Sequence, residues 1–266
     1  MNRLSVFLVS MLASLTTMAD WEVNMSRGVT PTANAAYDLH MLIFYITVVI
    51  GIVVFGVMFY SIFHHRKSKG AKPASFHEST TVEIIWTVIP FVILVGMAIP
   101  ATKTLIMMED TRNSEITLKV TGYQWMWKYD YVEDDVAFFS KLDSDSNEAR
   151  QLGSKQDVPT VDNYLLNVDN EVVHPTDTKI RILLTASDVI HAWWVPELTG
   201  KKDAIPGYVN ELWIDIKKPG VYRGQCTELC GKDHGFMPIV VRAVPKQEYT
   251  KWVSLNQKNR VADKSK

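Results

Sequence analysis

Four side chains that bind soft metal ions lie within the twelve residues CTELCGKDHGFM: Cys226, Cys230, His234 and Met237. The two cysteines are the only ones in the chain. Copper prefers a set of thiolate, imidazole and thioether donors, whereas zinc, the nearest competitor, rarely uses methionine and has a different usual cysteine spacing. In an exported domain two cysteines would otherwise form a disulfide, but closing so short a loop adds little stability through chain entropy. The segment therefore favours a copper site, with a disulfide as the alternative.

A copper site in a β-sandwich needs a further histidine from a distant strand, and His191 in SDVIHAWWVP is the candidate. A blue-copper centre uses one cysteine, two histidines and a weakly bound methionine. This chain offers one additional thiolate. Because two thiolates can bridge two metal ions, we infer a binuclear centre, although the spacing of the residues alone does not prove it.

Alternation of apolar and polar residues predicts the domain that positions these ligands. It occurs in three stretches, at 116–120, 180–184 and 212–216. This is the pattern of strands with one buried face, so residues 113–245 are predicted to form a β-sandwich or barrel. At Gly122 the alternation shifts by one residue, which predicts a β-bulge.

Two polar segments accompany the predicted strands. Residues 133–163 are rich in acids and weakly periodic, which predicts a long surface excursion of the β domain. The acids at 133–135 and 143–148 would suit docking of a basic partner, and a merely solvated loop is the alternative. Residues 246–266 are predicted to be an amphipathic C-terminal tail.

Two long apolar runs predict a transmembrane hairpin within residues 20–112, with helices at about 39–63 and 82–106. A run without charge, such as Met41 to Phe63, is long enough to cross a hydrocarbon core of about 30 Å at about 1.5 Å per residue. The alternative is a pair of buried helices in a soluble protein. Two prolines in the second run predict a kink or local unwinding.

The topology follows from charge. The loop between the spans contains four basic residues and no acid, Arg66, Lys67, Lys69 and Lys72, and such loops remain in the cytoplasm. The first nineteen residues have a basic start, a short apolar core and a small residue at Ala19, which predicts a signal peptide at 1–19. A short N-terminal membrane segment is the alternative. Both signals place the β domain outside, on the periplasmic side of a bacterial inner membrane.

Overall charge excludes one class of function. The formal net charge is −1, so the chain has no basic excess for binding a phosphate backbone, and we expect no nucleic-acid partner.

The hairpin, DVIHAWWVPELTGKKDAIPG and GQCTELCGKDHGFMPIVV together resemble subunit II of the haem–copper cytochrome c oxidases. The resemblance implies a cupredoxin-like domain that carries the binuclear copper centre CuA. The ligands that it implies are His191, Cys226, Cys230, His234, Met237 and the backbone carbonyl of Glu228. It also implies that the Glu228 side chain binds a magnesium ion shared with subunit I.

Two further residues take a role from this resemblance. Trp125 in GYQWMWKYDY matches the tryptophan that receives the electron from cytochrome c, whereas Trp127 is interpreted as packing. Glu83 in TVEIIW matches a glutamate at the mouth of a proton channel in subunit I. Without the resemblance, Glu83 reads as an interfacial acid that reaches water.

The resemblance implies a subunit that accepts electrons from cytochrome c and passes them to subunit I, which reduces oxygen to water and pumps protons. Subunits I and III and membrane lipid are the implied partners. The chain departs from the family pattern at Tyr208, where many members have arginine, and no Cys-x-x-Cys-His follows the copper motif.

Other classes remain as alternatives at this point. A quinol oxidase subunit II has a similar shape but lacks the cysteine, histidine and methionine set. Nitrous oxide reductase shares the copper motif but lacks the hairpin. A membrane-tethered binding module with a disulfide-closed loop would have no redox role.

Overall fold

The computed structural model describes residues 24–75, 77–198 and 200–263. The predicted signal peptide at 1–19 lies outside the described residues. Two long helices come first, and a β-sandwich with a C-terminal helix follows.

The two helices are α1, Pro31–His64, and α2, Thr80–Met108, and both extend beyond the spans expected from the sequence. At about 1.5 Å per residue each is longer than the roughly 30 Å core of a bilayer. Their apolar side chains are mostly exposed in the isolated chain, and the most apolar part of each helix contains no buried residue. Such exposed apolar surface is expected of helices that are surrounded by lipid. α2 continues through Pro90 and Pro100 without local unwinding.

Ten strands form the sandwich within the described residues. They are β1 (Ile116–Tyr123), β2 (Met126–Tyr131), β3 (Val136–Ser140), β4 (Val172–Pro175), β5 (Ile180–Ala186), β6 (His191–Trp194), β7 (Lys202–Ala204), β8 (Asn210–Ile214), β9 (Gly220–Cys226) and β10 (Pro238–Val244). One sheet has the order β3-β2-β1-β5-β8 and the other β4-β10-β9-β6-β7. The pairs β1–β5 and β4–β10 are parallel, and the remaining neighbours are antiparallel. The predicted fold class, a helical hairpin followed by a cupredoxin-like sandwich, is confirmed.

The core lies between the two sheets, where inward residues of both are fully buried. Ile182 and Leu184 in β5 alternate with less buried neighbours, as the sequence pattern predicted. The second sheet contributes Trp193, Ile239 and Val241. Burial of these large apolar side chains, each worth about 1.5–3 kcal/mol, holds the sheets together and creates a rigid frame.

The β-bulge predicted near Gly122 is wrong. β1 and β2 form a regular antiparallel hairpin in which Tyr123 pairs with Met126 and Gly122 pairs with Trp127. The side chains of paired residues point to the same face of the sheet. Because a two-residue turn joins the strands, the inward positions of β1 are even-numbered and those of β2 are odd-numbered. The change of phase in the sequence therefore records a hairpin turn between two strands.

The surface excursion predicted at 133–163 is only partly observed. Its beginning folds into β3, which pairs with β2, because Val136 is buried and Phe138 packs on the core. A short helix, α3 (Ser144–Ala149), and irregular chain follow before β4.

Within the predicted C-terminal tail, Lys246–Asp263 forms a packed helix, α4. Tyr249 and Val253 are buried, and the ring centroid of Trp252 lies 5.2 Å from that of Tyr131. Aromatic pairs of this kind contribute about 0.5–1.5 kcal/mol beyond their burial, so α4 closes the end of the sandwich.

The helices are attached to the base of the β domain. Thr30 caps α1 by accepting a hydrogen bond from Ala33 N, and its own hydroxyl donates to the carbonyl of Leu198. At the end of α2, the indole of Trp213 donates to the carbonyl of Met107 over 3.1 Å. A buried contact at the start of α1 and a partly buried one at the end of α2 thus join the helices to the sandwich.

Candidate metal centre

The candidate ligands come from two neighbouring strands and the loop that follows one of them. His191 begins β6, Cys226 ends β9, and the two strands pair antiparallel with Trp193 opposite Cys226. The chain then crosses the end of the sandwich in the ligand loop, residues 227–237, before entering β10. A short 3-10 helix, His234–Phe236, lies inside this loop. The distant histidine and the cysteine run therefore meet because β6 and β9 are adjacent.

The donor atoms converge. The two thiol sulfurs lie 3.8 Å apart, and the Cys226 sulfur lies 3.9 Å from Nδ1 of His191. The Cys230 sulfur lies 3.5 Å from Nδ1 of His234 and 3.6 Å from the Met237 sulfur. The backbone carbonyl of Glu228 lies 3.4 Å from the Cys226 sulfur. All six donors expected from the sequence therefore share one small volume.

These separations fit ligands of metal ions. A disulfide needs a sulfur–sulfur distance of about 2.05 Å, and both cysteines are free and buried. Two ligands held about 2.3 Å from one ion in tetrahedral geometry are roughly 3.8 Å apart. The donor atoms of His191, Cys226 and Cys230 lie within 4.8 Å of one another. Sulfur and imidazole donors with a thioether nearby match copper.

His191 is held by three neighbours. Asp188 Oδ1 lies 2.9 Å from its Nε2, so the other ring nitrogen, Nδ1, faces the sulfurs. The ring of Trp127 meets it edge-on, with centroids 5.9 Å apart. A Cβ at Gly122 would lie 2.7 Å from Cδ2 of the ring, so only glycine leaves space for it. A carboxylate behind a ligating histidine fixes its orientation and raises its basicity.

The electrostatics favour charge at this site. Burial raises the pKa of the Cys226 thiol, but hydrogen bonds from His191 and from nearby backbone outweigh it and hold the pKa below its usual value. Burial and the adjacent Cys226 together raise the pKa of Cys230. Burial lowers the pKa of His191, and its contacts with Cys226 and Asp188 more than reverse this. These contacts favour charge on Cys226 and His191 but not on Cys230, and a cation bound here would take both sulfurs as thiolates.

Trp125 lies directly on the ligand loop. Its indole nitrogen donates to the carbonyl of Cys230 over 3.2 Å, and the Gln124 amide donates to the same oxygen over 2.8 Å. Gly231, with φ of 122°, leaves room for the indole, since a Cβ there would lie 3.0 Å from the ring. The tryptophan predicted from the sequence is thus hydrogen-bonded directly to the backbone of a candidate ligand.

The remaining predicted site residues are placed as follows. The Glu228 side chain is 43% exposed and lies 3.8 Å from Lys201 Nζ, so it is available to a partner at the base of the domain. Glu83 is exposed in the first turn of α2, far in the chain from the sulfur cluster. Trp127 is fully buried, in agreement with a packing role.

Three contributors to the site were not singled out from the sequence. Asp188 precedes His191 by three residues, and this spacing could have indicated it. Gly122 stood out only as a change of strand phase. Arg150, which contacts the ligand loop, lies in a segment without strand periodicity, and only tertiary structure reveals its position.

Fold and site together define a membrane-anchored cupredoxin-like protein with a cluster of soft metal ligands. Two family models match the chain. The periplasmic domain of cytochrome c oxidase subunit II matches residues 116–244, and the transmembrane domain of the same subunit matches residues 18–104. The chain belongs to the cytochrome c oxidase subunit II family, and it is a membrane protein.

Individual relatives agree with the family models. A probable cytochrome c oxidase subunit 2 of Rickettsia prowazekii is 39% identical over 246 residues, which cover 92% of this chain and 75% of the relative. The cytochrome c oxidase subunit 2 of Arabidopsis thaliana is 38% identical, and the matched residues cover 88% of this chain and 89% of the relative. A crystal structure of the periplasmic domain of subunit II of the Bradyrhizobium japonicum cytochrome oxidase is 40% identical, with a TM-score of 0.49, over 56% of this chain and 98% of that one.

Proposed function

We propose that this chain is the electron-accepting subunit of a respiratory cytochrome c oxidase. It accepts electrons from cytochrome c at a binuclear CuA centre in the β domain and passes them to subunit I, where oxygen is reduced to water and protons are pumped. The observation that carries the proposal is the convergence of two thiols, two imidazoles and a thioether, with sulfur–sulfur and sulfur–nitrogen distances of 3.5–3.9 Å.

The residues fit a pair of copper ions. Cys226, Cys230, His191 and His234 would hold the ions, and Met237 and the Glu228 carbonyl would be weaker ligands. When bound, copper would supply a one-electron redox couple. The protein contributes a buried frame, because Cys226, Cys230, Met237 and His191 are all at most 5% exposed. Such burial excludes water and limits rearrangement around the site.

Trp125 is the proposed residue through which the electron arrives. It is partly exposed, and its indole is hydrogen-bonded to the backbone of the candidate ligand Cys230. A donor that docks over this ring is therefore one hydrogen bond from the metal-binding residues. Asp143 lines the same cavity as Trp125, so the acids at 143–148 would supply negative charge for a basic donor, whereas those at 133–135 follow the opposite end of β2.

Two other roles are proposed for carboxylates. Glu228 would join a magnesium site shared with subunit I, since its side chain faces outward next to Lys201 while its carbonyl faces Cys226. Glu83, exposed near the cytoplasmic end of α2, would contribute to the mouth of a proton channel in subunit I. The basic loop between the helices supports a cytoplasmic position for that end and a periplasmic position for the sandwich, in a bacterial inner membrane, with subunits I and III and lipid around the helices.

The test is electron transfer from reduced cytochrome c to the copper-loaded full-length chain in detergent, followed by the haem absorbance in a stopped-flow instrument. We expect rapid oxidation of the cytochrome, slowed at least about 10-fold in Trp125→Phe, because the substitution removes the indole that contacts Cys230. Trp194→Phe is the matched control, since Trp194 is 37% exposed and belongs to β6. No oxidation by the copper-loaded wild-type chain would refute the proposal.

A further inference from the structure

The short helix α3 brings Arg150 against the ligand loop. The guanidinium lies over the ring of Phe236, 4.3 Å from its centroid. Its Nη1 lies 3.4 Å from Oδ1 of Asp233. Asp233 and Phe236 flank His234 in the sequence, so the Arg150 side chain contacts the loop both before and after a candidate ligand.

The arginine itself is held in place. Its Nε donates to the side chain of Asn147 over 2.8 Å. Asp143 caps α3 by accepting a hydrogen bond from Ser146 N over 3.1 Å. The Ser146 hydroxyl accepts from the backbone of Leu165 over 3.1 Å, which ties the helix to the chain that returns towards β4. Arg150 therefore projects from a braced element.

The two histidines of the site differ in how they are oriented. Asp188 holds the His191 ring directly. Among the residues that the structure describes, no carboxylate or carbonyl oxygen orients the His234 ring by a hydrogen bond. The hydrogen-bond contact of this ring is the Cys230 sulfur. The loop around it also contains Gly231 and Gly235, which favour mobility. The position of His234 must therefore come from the backbone of the loop.

We propose that Arg150 is a positioning residue for the copper centre: it fixes the turn 233–236, and through it the His234 imidazole, by an ion pair on one side and a cation–π contact on the other. The inference rests on the proposed copper site. The pair is about one-quarter exposed, and a partly desolvated guanidinium over an aromatic ring is a stronger contact than a fully solvated one. The guanidinium also places a positive charge against the ligand loop, where it would favour the reduced form of a bound copper centre.

The test compares Arg150→Gln with wild type in the copper-loaded full-length chain. We expect copper to be lost to a copper(I) chelator about 10-fold faster, as for other residues that orient ligands. The reduction potential should fall, because a positive charge is removed and the Asp233 carboxylate is left unpaired. Arg150→Lys keeps the charge but not the planar stacking, and it should restore the potential and part of the resistance to chelation.

Two further variants separate positioning from folding. Arg242→Gln removes an arginine that pairs with Glu171 and Glu248 away from the ligand loop, and it should leave copper loss and potential unchanged. Phe236→Leu removes only the aromatic contact and should give a smaller acceleration than Arg150→Gln. In the metal-free chain, amide hydrogen exchange at Phe236 should accelerate in Arg150→Gln and not in Arg242→Gln.

The outcomes distinguish the two proposals. A wild-type chain that binds no copper refutes the function proposed above. A wild-type chain that binds copper, with Arg150→Gln matching it in copper loss, potential and exchange, overturns the role of Arg150 alone. If Arg150→Gln does not fold, Phe236→Leu and Arg150→Lys test the inference in its place. Wild-type behaviour of both variants would overturn it.

Discussion

Two buried histidines lie in the same sheet of this protein, and their surroundings give them opposite properties. His174 in β4 is 1% exposed and His191 in β6 is 0% exposed. Burial lowers the pKa of His174 to about 4. The pKa of His191 is instead raised, because contacts with Cys226 and Asp188 outweigh its burial.

The difference lies in the partners of the two rings. His191 is held between a thiol and a carboxylate, with Nε2 2.9 Å from Asp188. Nδ1 of His174 lies 2.7 Å from the carbonyl of Pro175, and its Nε2 has no well-aligned hydrogen-bond partner among the described residues. Equal burial therefore goes with a candidate ligand in one place and a neutral packing residue in the other. The second charged or soft group beside the ring makes the difference.

Removal of a sulfur from the cluster that contains His191 should have the largest effect on copper binding. In Cys230→Ser the thiolate that contacts Cys226, His234 and Met237 is lost, so we expect copper affinity and electron acceptance to fall by more than about 100-fold. Copper titration of the full-length chain measures this. Gly235→Ala is the control in the same loop, since an added Cβ there meets nothing within 4 Å. Wild-type copper affinity in Cys230→Ser would contradict the assignment.

The lowered pKa of His174 predicts that the stability of the fold depends on pH. Because the folded-state pKa of about 4 lies below the ordinary value of 6.5, the neutral ring stabilises the fold fully above pH 6.5, and this stability is lost as pH falls towards 4. The loss amounts to about 3 kcal/mol. Chemical denaturation of the metal-free chain between pH 7 and pH 4 measures it.

His174→Leu should remove that part of the pH dependence, because leucine fills the buried position without a titrating group. His77→Leu, at an exposed histidine, should keep the wild-type slope. An unchanged slope in His174→Leu would show that other groups cause it.

Crowding the other histidine should have a smaller effect. Gly122→Ala places a Cβ 2.7 Å from the His191 ring, so the ring or β1 must shift. We expect a stability loss of about 1–3 kcal/mol and faster release of copper. Denaturation and chelator assays measure both quantities. Gly96→Ala, at a helix position with open space, is the control, and equal effects of the two substitutions would remove the steric explanation.

The smallest effect is expected when only the orienting carboxylate is changed. Asp188→Asn keeps the shape of the side chain but removes the charge next to His191, so we expect copper loss about 10-fold faster and a higher reduction potential. Potentiometry of the copper-loaded chain measures the latter. Asp145→Asn, at an exposed position of α3, should change neither value. A potential that is unchanged in Asp188→Asn would show that the carboxylate does not act on the site.

Local patterns were sufficient to predict the transmembrane hairpin, the sandwich and the soft-ligand run. The alternation at Ile180, Ile182 and Leu184 reports a buried strand face directly, and four of the candidate ligands lie within twelve consecutive residues. The predicted β-bulge was wrong because a two-residue hairpin connection changes the phase in the same way. Sequence periodicity does not distinguish one irregular strand from two strands joined by a tight turn.

The supporting residues of the site depend on contacts between distant segments. Arg150 reaches Asp233 across 83 positions in the chain, and no pattern around residue 150 indicates this. The space that Gly122 leaves for His191 exists only when β1 and β6 face each other across the sandwich. The packing of α4 was missed for the same reason, since its aromatic partners lie in β2 and β3.

The most direct test is copper analysis of the purified full-length chain, together with the electron paramagnetic resonance spectrum of its oxidised form. We predict about two copper ions per chain and a signal from one unpaired electron shared between them, with both cysteines unavailable to thiol reagents. A chain that retains no copper and contains a Cys226–Cys230 disulfide would contradict the proposed centre.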